Sequence, residues 1–471
     1  MQLRRRKMCA FYAVRHGRDG AGLSGKEGEL LEDGAVHHLH HPIEVSDGLL
    51  SVRVTMRLGL GGPSVDTDRL CKSVVPQASG SVDLTEAATI VTQTVNDTSK
   101  GPMRTDFCKR LGIEVPIFAF THCRDVVVEV SRAGGLGVLG AAGFRPEQLE
   151  KELQWIDDHV DGRPYGVDVI MPIEYVDADP KALAQMIPEG HKEWLESVMK
   201  RYEVPPLPED YDDARYISAD EVSWRPEQSR ALLDVAFSHP IKMIVNALGV
   251  PPKDLIDRAH EQGVLIGGLC GKPKHAIRQK EAGLDFVIAQ GYEAGGHTGE
   301  IASMVLTPQV VRAVAPLPVL SAGGIATGQQ VAAALALGAQ GAWCGSVWLT
   351  TKESDVDPLP KRKLIEAESS DTVRTRMLSG KPARMLRSEL TDAWEGPDCP
   401  GFLPMPLQGM LIHDARVRVM KYEVEPLEFY PTGQVVGMVN EERSVRDVMF
   451  EMISDCVDTM EALHGLLDQS Q

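Results

Sequence analysis

The run Glu293-Ala294-Gly295-Gly296-His297, continued by Thr298-Gly299-Glu300, sets one histidine between a glycine pair and a further glycine. Flanking glycines supply little packing, so His297 reads as a loop side chain rather than a core one. Its unperturbed pKa lies nearest neutrality, which suits proton transfer or the orientation of an anionic substrate. The bland alternative is a structural histidine bonded to a backbone carbonyl. Two glycine-bearing runs follow, Ser321-Ala322-Gly323-Gly324-Ile325 and Trp343-Cys344-Gly345-Ser346. Glycine lets backbone N–H groups come close to an anion, and Ser346 adds a hydroxyl donor. One Gly-Gly alone is an ordinary turn; two glycine sites closing consecutive apolar runs favour a phosphate grip.

Other candidates lie upstream. His122 and Cys123 follow an apolar run, and no activating base stands near Cys123, which reads as the wall of a pocket rather than a nucleophile. Asp168 falls within another apolar run, where it either hydrogen-bonds a cofactor ring or pairs with a neighbour. The tract His37, His38, His40 and His41 lacks partner ligands, and the eight cysteines form no CxxC pair. No metal site is expected, and the thiols read as free in a reducing cytosol.

These residues need elements that carry them to one face. Apolar runs at 115–120, 136–141, 165–171, 241–248, 264–270, 286–290, 318–322 and 342–348 alternate with amphipathic stretches such as 146–159, 252–262, 274–282, 308–315 and 328–337. Pro146, Pro252 and Pro308 stand where a helix's first turn tolerates a missing N–H. Eight strands alternating with helices predict an α/β fold, a (β/α)8 TIM barrel. An open doubly wound sheet would need a glycine-rich turn after its first strand, and Phe120-Thr121-His122-Cys123 offers none. In a barrel the loops after the seventh and eighth strands hold phosphate, and His297, after the sixth, lies on the same C-terminal face.

The barrel is expected to span 103–352. A helical insertion at 172–240, rich in Pro, Asp, Glu and Tyr, follows the third strand and reads either as a lid or as a solvated excursion. Residues 353–471 form a mainly helical C-terminal extension packed beside the barrel. Residues 1–102 lack sustained periodicity and are expected to be largely disordered. Met103 would make a natural start, so the preceding segment is either the product of an upstream initiation codon or a functional tail.

Hydrophobic residues at 43% and charged residues at 25% suit an ordinary soluble globular protein. A formal net charge of −18 argues against a nucleic-acid grip. The long apolar window 331–349 is broken by Gly338, Gln340, Gly341 and Gly345, and reads as helix, turn and strand rather than a membrane span. No apolar segment follows the basic start at 1–7, so a cytoplasmic location is expected.

From Asp106 to about Asn440 the chain resembles the nitronate monooxygenase family of FMN-dependent barrels. The matching runs are Ser131 to Gly140, Gln290 to Gly299, Ser321 to Gly328 with Ala332 to Gly338, Gly345-Ser346, Ser379 to Arg384 and Thr432-Gly433-Gln434. The Glu-Ala-Gly-Gly-His run is shared with FMN-type enoyl-acyl-carrier-protein reductases and some quinone reductases. By position, the resemblance implies that Gly323, Gly324, Gly345 and Ser346 hold the FMN phosphate, with backbone from Trp343 and Cys344. Gln290 and Gly295 would line the flavin, and His297 would be the active-site histidine. Phe120-Thr121-His122 stands where the family usually has Ala-Pro-Met beneath the isoalloxazine ring. Asp168 stands where many members have Asn, and an acid there would alter hydrogen bonding or protonation at the flavin.

The implied reaction is oxidation of an alkyl nitronate with O2 to a carbonyl compound and nitrite. The alternative is an FMN-dependent NAD(P)H oxidoreductase of the enoyl reductase or quinone reductase type. Further off stand a flavin-free phosphate-binding isomerase or lyase and a non-catalytic binding protein. The expected partners are a small-molecule substrate and O2, without nucleic acid or membrane, in a chain that could pair as a homodimer.

Overall fold

Short apolar runs able to bury both faces suit parallel strands flanked by helices, and the computed structural model forms eight of them. They are β1 (Ile117–Thr121), β2 (Leu136–Gly140), β3 (Tyr165–Val169), β4 (Met243–Asn246), β5 (Leu265–Cys270), β6 (Phe286–Gln290), β7 (Val319–Ala322) and β8 (Gly341–Cys344). All neighbours are parallel and in chain order. The barrel closes where β8 pairs with β1, Ala342 beside Ile117 and Cys344 beside Ala119. Strand alternation sends Phe118, Leu136, Met243, Phe286, Leu320 and Trp343 inward, and Val167, Val169 and Ile244 outward against helices.

The described residues are 103–171, 180–208, 211 and 226–468, together with six strands of the N-terminal segment. Those strands, Gly28–Glu32, Ala35–His40, Ile43–Ser46, Leu49–Val52, Thr55–Met56 and Ser73–Val74, form two three-stranded antiparallel sheets. The rest of that segment, on which the expectation of disorder bears, lies outside the described residues, as do the side chains of the histidine tract. Residues 102–471 are a separate unit. No described helix is long and apolar enough to cross a membrane.

Helix α1 (Asp106–Leu111), capped by the Thr105 hydroxyl, closes the N-terminal end of the barrel. Its Phe107 ring lies 5.9 Å from Phe118 and 5.1 Å from Phe286. Around the strands run α2 (Arg124–Arg132) and α3 (Pro146–His159), then α4 (Pro180–Gln185) and α5 (Glu189–Arg201), which lie between β3 and β4. Helices α6 (Pro226–Ser238), α7 (Lys253–Glu261), α8 (Pro273–Glu281), α9 (Ser303–Val314) and α10 (Gly328–Ala336) continue the ring. After β8 come α11 (Pro358–Glu366), β9 (Thr372–Thr375), β10 (Ala383–Leu386), α12 (Glu389–Glu395), α13 (Leu407–Lys421) and α14 (Val445–Asp468).

Three features depart from the sequence reading. The last barrel strand ends at Cys344, because Ser346–Trp348 turns as a 3-10 helix. The helix expected from Pro308 begins at Ser303, so the proline lies inside it; a carboxylate ten residues upstream, described below, holds that earlier start. The end of the chain does more than pack beside the barrel. Helix α14 buries Val445, Val448, Met449, Met452 and Cys456 in one cluster with Val126 and Val130 of α2 and Val331 and Ala332 of α10. It thereby fills the eighth helix position, and its backbone passes so close to Gly328 that a Cβ there would strike Met452 O and Cys456 N. The α4–α5 insertion docks on the C-terminal region. Arg418 of α13 donates to Glu196 at 2.7 Å and to the carbonyls of Val204 and Pro205 at 2.7 and 2.8 Å.

Candidate active site

With all strands parallel, residues 121, 140, 169, 246, 270, 290, 322 and 344 end at one face. Gly323 and Gly324 leave β7 with φ of 91° and 74°, the left-handed region that favours glycine. A Cβ on Gly323 would sit 3.1 Å from both N and Cβ of Ala294, so the loops after β6 and β7 touch there. Ser346 opens the 3-10 turn after β8, and its hydroxyl accepts the Gly433 N–H at 2.8 Å. That leaves the Ser346 proton to be donated. Gly345 has φ of −119°, and a Cβ there would find only Phe120 at 3.9 Å. Neither backbone nor packing demands glycine at 345, so the space it leaves suits a ligand.

Trp343 points inward and stacks with Phe120 at 6.2 Å. Cys344 points outward among helices, and burial pushes its thiol up to about 12. Its carbonyl takes the Trp348 indole N–H at 2.8 Å.

The loop after β6 is pinned from two sides. The Glu293 carboxylate accepts the Ser303 N–H at 3.0 and 3.2 Å and the Ser303 hydroxyl at 3.0 Å. A negative charge is stabilising at the start of α9, which explains that helix's early beginning. On the other side, the carbonyl of Glu293 accepts Gln434 N–H at 3.0 Å. A Cβ on Gly295 would lie 2.7 Å from the Thr432 carbonyl carbon, so this glycine permits backbone on backbone. The guanidinium groups of Arg384 and Arg374 lie 4.6 and 5.5 Å from the centre of the Tyr292 ring.

Gly296–His297 then pairs antiparallel with Ala383–Arg384 of β10. His297 Nε2 meets Ser379 Oγ at 2.6 Å. The His297 ring is exposed to solvent, with protein around much of it. That surrounding, followed by the charge of Lys381, holds its pKa below the usual histidine value.

His122, just after β1, is likewise exposed with protein around it. Its Nδ1 must carry the proton, because its partner at 2.9 Å is the Gly140 carbonyl. Nε2 is thus the free acceptor, and burial keeps the ring's pKa low. Gly140 has no Cβ because the His122 ring occupies that place. Thr121 turns its hydroxyl to the Cys123 N–H at 3.1 Å, at the start of α2. Cys123 does not line the cavity as expected. Strand-to-helix geometry turns it outward, where its thiol donates to the Glu353 carbonyl at 3.1 Å and burial pushes it up to about 11.

Asp168 points inward from β3, flanked in register by Gly140 and Val245. It is 3% exposed, and burial raises its carboxyl well above the ordinary range. Gln290 ends β6 beside Ala322, next to the β7 glycines.

Sequence reasoning thus brought Phe120, His122, Asp168, Gln290, His297 and the three glycines of the late loops to one end. It gave no role to Glu293, Ser303, Ser379, Thr432 or Gly433, which fix the loops. The runs Ser379-Gly380-Lys381 and Thr432-Gly433-Gln434 were visible, but only pairing across the fold assigns them partners.

A nitronate monooxygenase family model matches residues 109–455. Rv1533 of Mycobacterium tuberculosis, assigned as a monooxygenase, is 50% identical over 378 residues, 78% of this chain and 100% of its own. A Staphylococcus saprophyticus chain assigned as nitronate monooxygenase is 30% identical over 294 residues, 59% of this chain and 77% of that one. Among solved structures, nitroalkane oxidase from Streptomyces ansochromogenes is 28% identical with a TM-score of 0.61, covering 74% of this chain and 98% of that one. FabK from Thermotoga maritima is 26% identical with a TM-score of 0.58, covering 77% and 99%. With a family model over most of its length and a relative half identical to it, the chain is an oxidoreductase of the flavoenzyme class and belongs to the nitronate monooxygenase family.

Proposed function

We propose that the protein is an FMN-dependent nitronate monooxygenase, converting alkyl nitronates with O2 to a carbonyl compound and nitrite. The observation that carries this reading is His297, exposed to solvent, tied to Ser379 and set beside Lys381 on the same face as the late-strand glycines. The phosphate would be held by N–H groups of Gly323, Gly324 and Gly345 and by the Ser346 hydroxyl. Phe120, Thr121, His122, Asp168, Gln290 and Gly295 would surround the ring, with backbone from Trp343 and Cys344. When bound, FMN supplies the electron chemistry that links substrate to O2.

The protein's own part is to bind and orient. His297 would donate a hydrogen bond to an anionic nitronate or, with a neutral nitroalkane, take the α-proton. Lys381 adds positive charge near the same ring, against the acidic balance of the whole chain. Nitrite release from propionate 3-nitronate in air, with FMN supplied and no NAD(P)H, tests the reading. NAD(P)H-dependent turnover of an enoyl thioester or quinone without nitrite would replace it with the reductase alternative, which the likeness to FabK keeps in view.

A further inference from the structure

Asp168 is the one ionisable residue on the inward faces of the eight strands. From β2 it is faced by Gly140, against which the His122 ring is laid, and from β4 by Val245. Its carboxyl has no hydrogen-bond or ion-pair partner among the described residues, and no cation acts on it. The charges near His122, Asp355 and Arg416, act on that ring and not on Asp168. An isolated carboxylate in such a place loses its hydration without compensation, whereas the neutral acid keeps one donor and one acceptor. That donor–acceptor pair is what an Asn amide would offer.

We propose that Asp168 serves the flavin site as a neutral acid, donating a hydrogen bond from the cavity wall, so that flavin binding is coupled to one proton on this residue. The inference rests on the cofactor reading above. A carboxylate formed at higher pH would turn a donor into an acceptor and place an unpaired charge against the cofactor.

The experiment titrates FMN into the full-length protein and into Asp168→Asn, from pH 6 to 9, by quenching of FMN fluorescence. Circular dichroism checks that the isosteric variant folds. For wild type, the apparent Kd should climb with pH toward tenfold per unit once the acid ionises. Asp168→Asn should show no such climb and bind more tightly than wild type at pH 9. Titration of His122, His297 or the FMN phosphate would appear in both proteins, so the difference between them is what counts. A shared profile, or wild-type binding that tightens as pH rises, overturns the inference alone. Failure of both proteins to bind FMN at any pH overturns the cofactor reading and this inference with it.

Discussion

The two ends of the barrel's C-terminal face are built from different materials. At the late-strand end, after β7 and β8, the surface is backbone. Gly323 and Gly324 take left-handed φ angles, Gly345 leaves an open space, and Ser346 is locked by Gly433. At the early-strand end and along the β6 rim, the surface is made of ionisable side chains: His122, Asp168 and His297, each held away from its ordinary pKa mainly by burial. Backbone donors cannot titrate or rotate away, which suits a constant anion such as a phosphate. Side chains with shifted pKa values can be tuned, which suits chemistry and selectivity.

The sharpest way to separate the two ends is to remove a group from each. His297→Ala should lower kcat/KM for a nitronate by roughly 10²–10⁴-fold while leaving flavin affinity close to wild type. Burial and the Lys381 charge hold the His297 pKa below the usual histidine value, which favours the neutral ring at neutral pH. Where it acts as base on a nitroalkane, kcat/KM measured at saturating FMN should therefore hold level at neutral pH and fall only as acid protonates the ring. A profile that falls instead as pH rises through neutrality would contradict that assignment.

Gly323→Val should do the reverse. A β-branched residue is strained at φ of 91° and would press on Ala294. Flavin affinity should drop about 100-fold, roughly 2.7 kcal/mol, and turnover should recover at saturating FMN. Gly345→Ala probes the same end without strain. Its Cβ meets nothing closer than 3.9 Å, so thermal stability should hold while FMN affinity falls roughly tenfold, about 1.4 kcal/mol. Equal loss of stability and affinity would show that the glycine serves the protein rather than a ligand.

The smallest effect is expected at Ser379. Removing one neutral hydrogen bond to His297 costs about 1 kcal/mol, so Ser379→Ala should lower kcat/KM about fivefold and shift the acid limb of its pH profile. Ser379→Thr should rescue it. An unchanged pH profile would make the Ser379–His297 bond a packing detail.

The backbone end was the more legible from sequence because left-handed turns and close approaches have one residue that satisfies them. Gly-Gly after one apolar run and Gly-Ser after the next could be read without knowing their partners. The eight strands were legible for a related reason, since their apolar runs repeat at βα spacing. The side-chain end was visible only as residue types. His122 could not be seen to spend Nδ1 on the Gly140 carbonyl, nor Asp168 to lack a partner, because both facts depend on register between strands. The start of α9 was misread for the same reason: its cap is Glu293, held there by a loop folded back over ten residues. The place of α14 as the eighth barrel helix was hidden by the hundred-odd residues between it and β8.

The central claim is that this cavity holds flavin and passes electrons from a nitronate. Visible absorption of the FMN-loaded protein under anaerobic conditions tests it most directly, with propionate 3-nitronate in one cuvette and NADH or NADPH in another. The expected result is loss of flavin absorbance with the nitronate, recovery and nitrite on admitting air, and little change with the nicotinamides. Rapid bleaching by NADH or NADPH, with none by the nitronate, would contradict it.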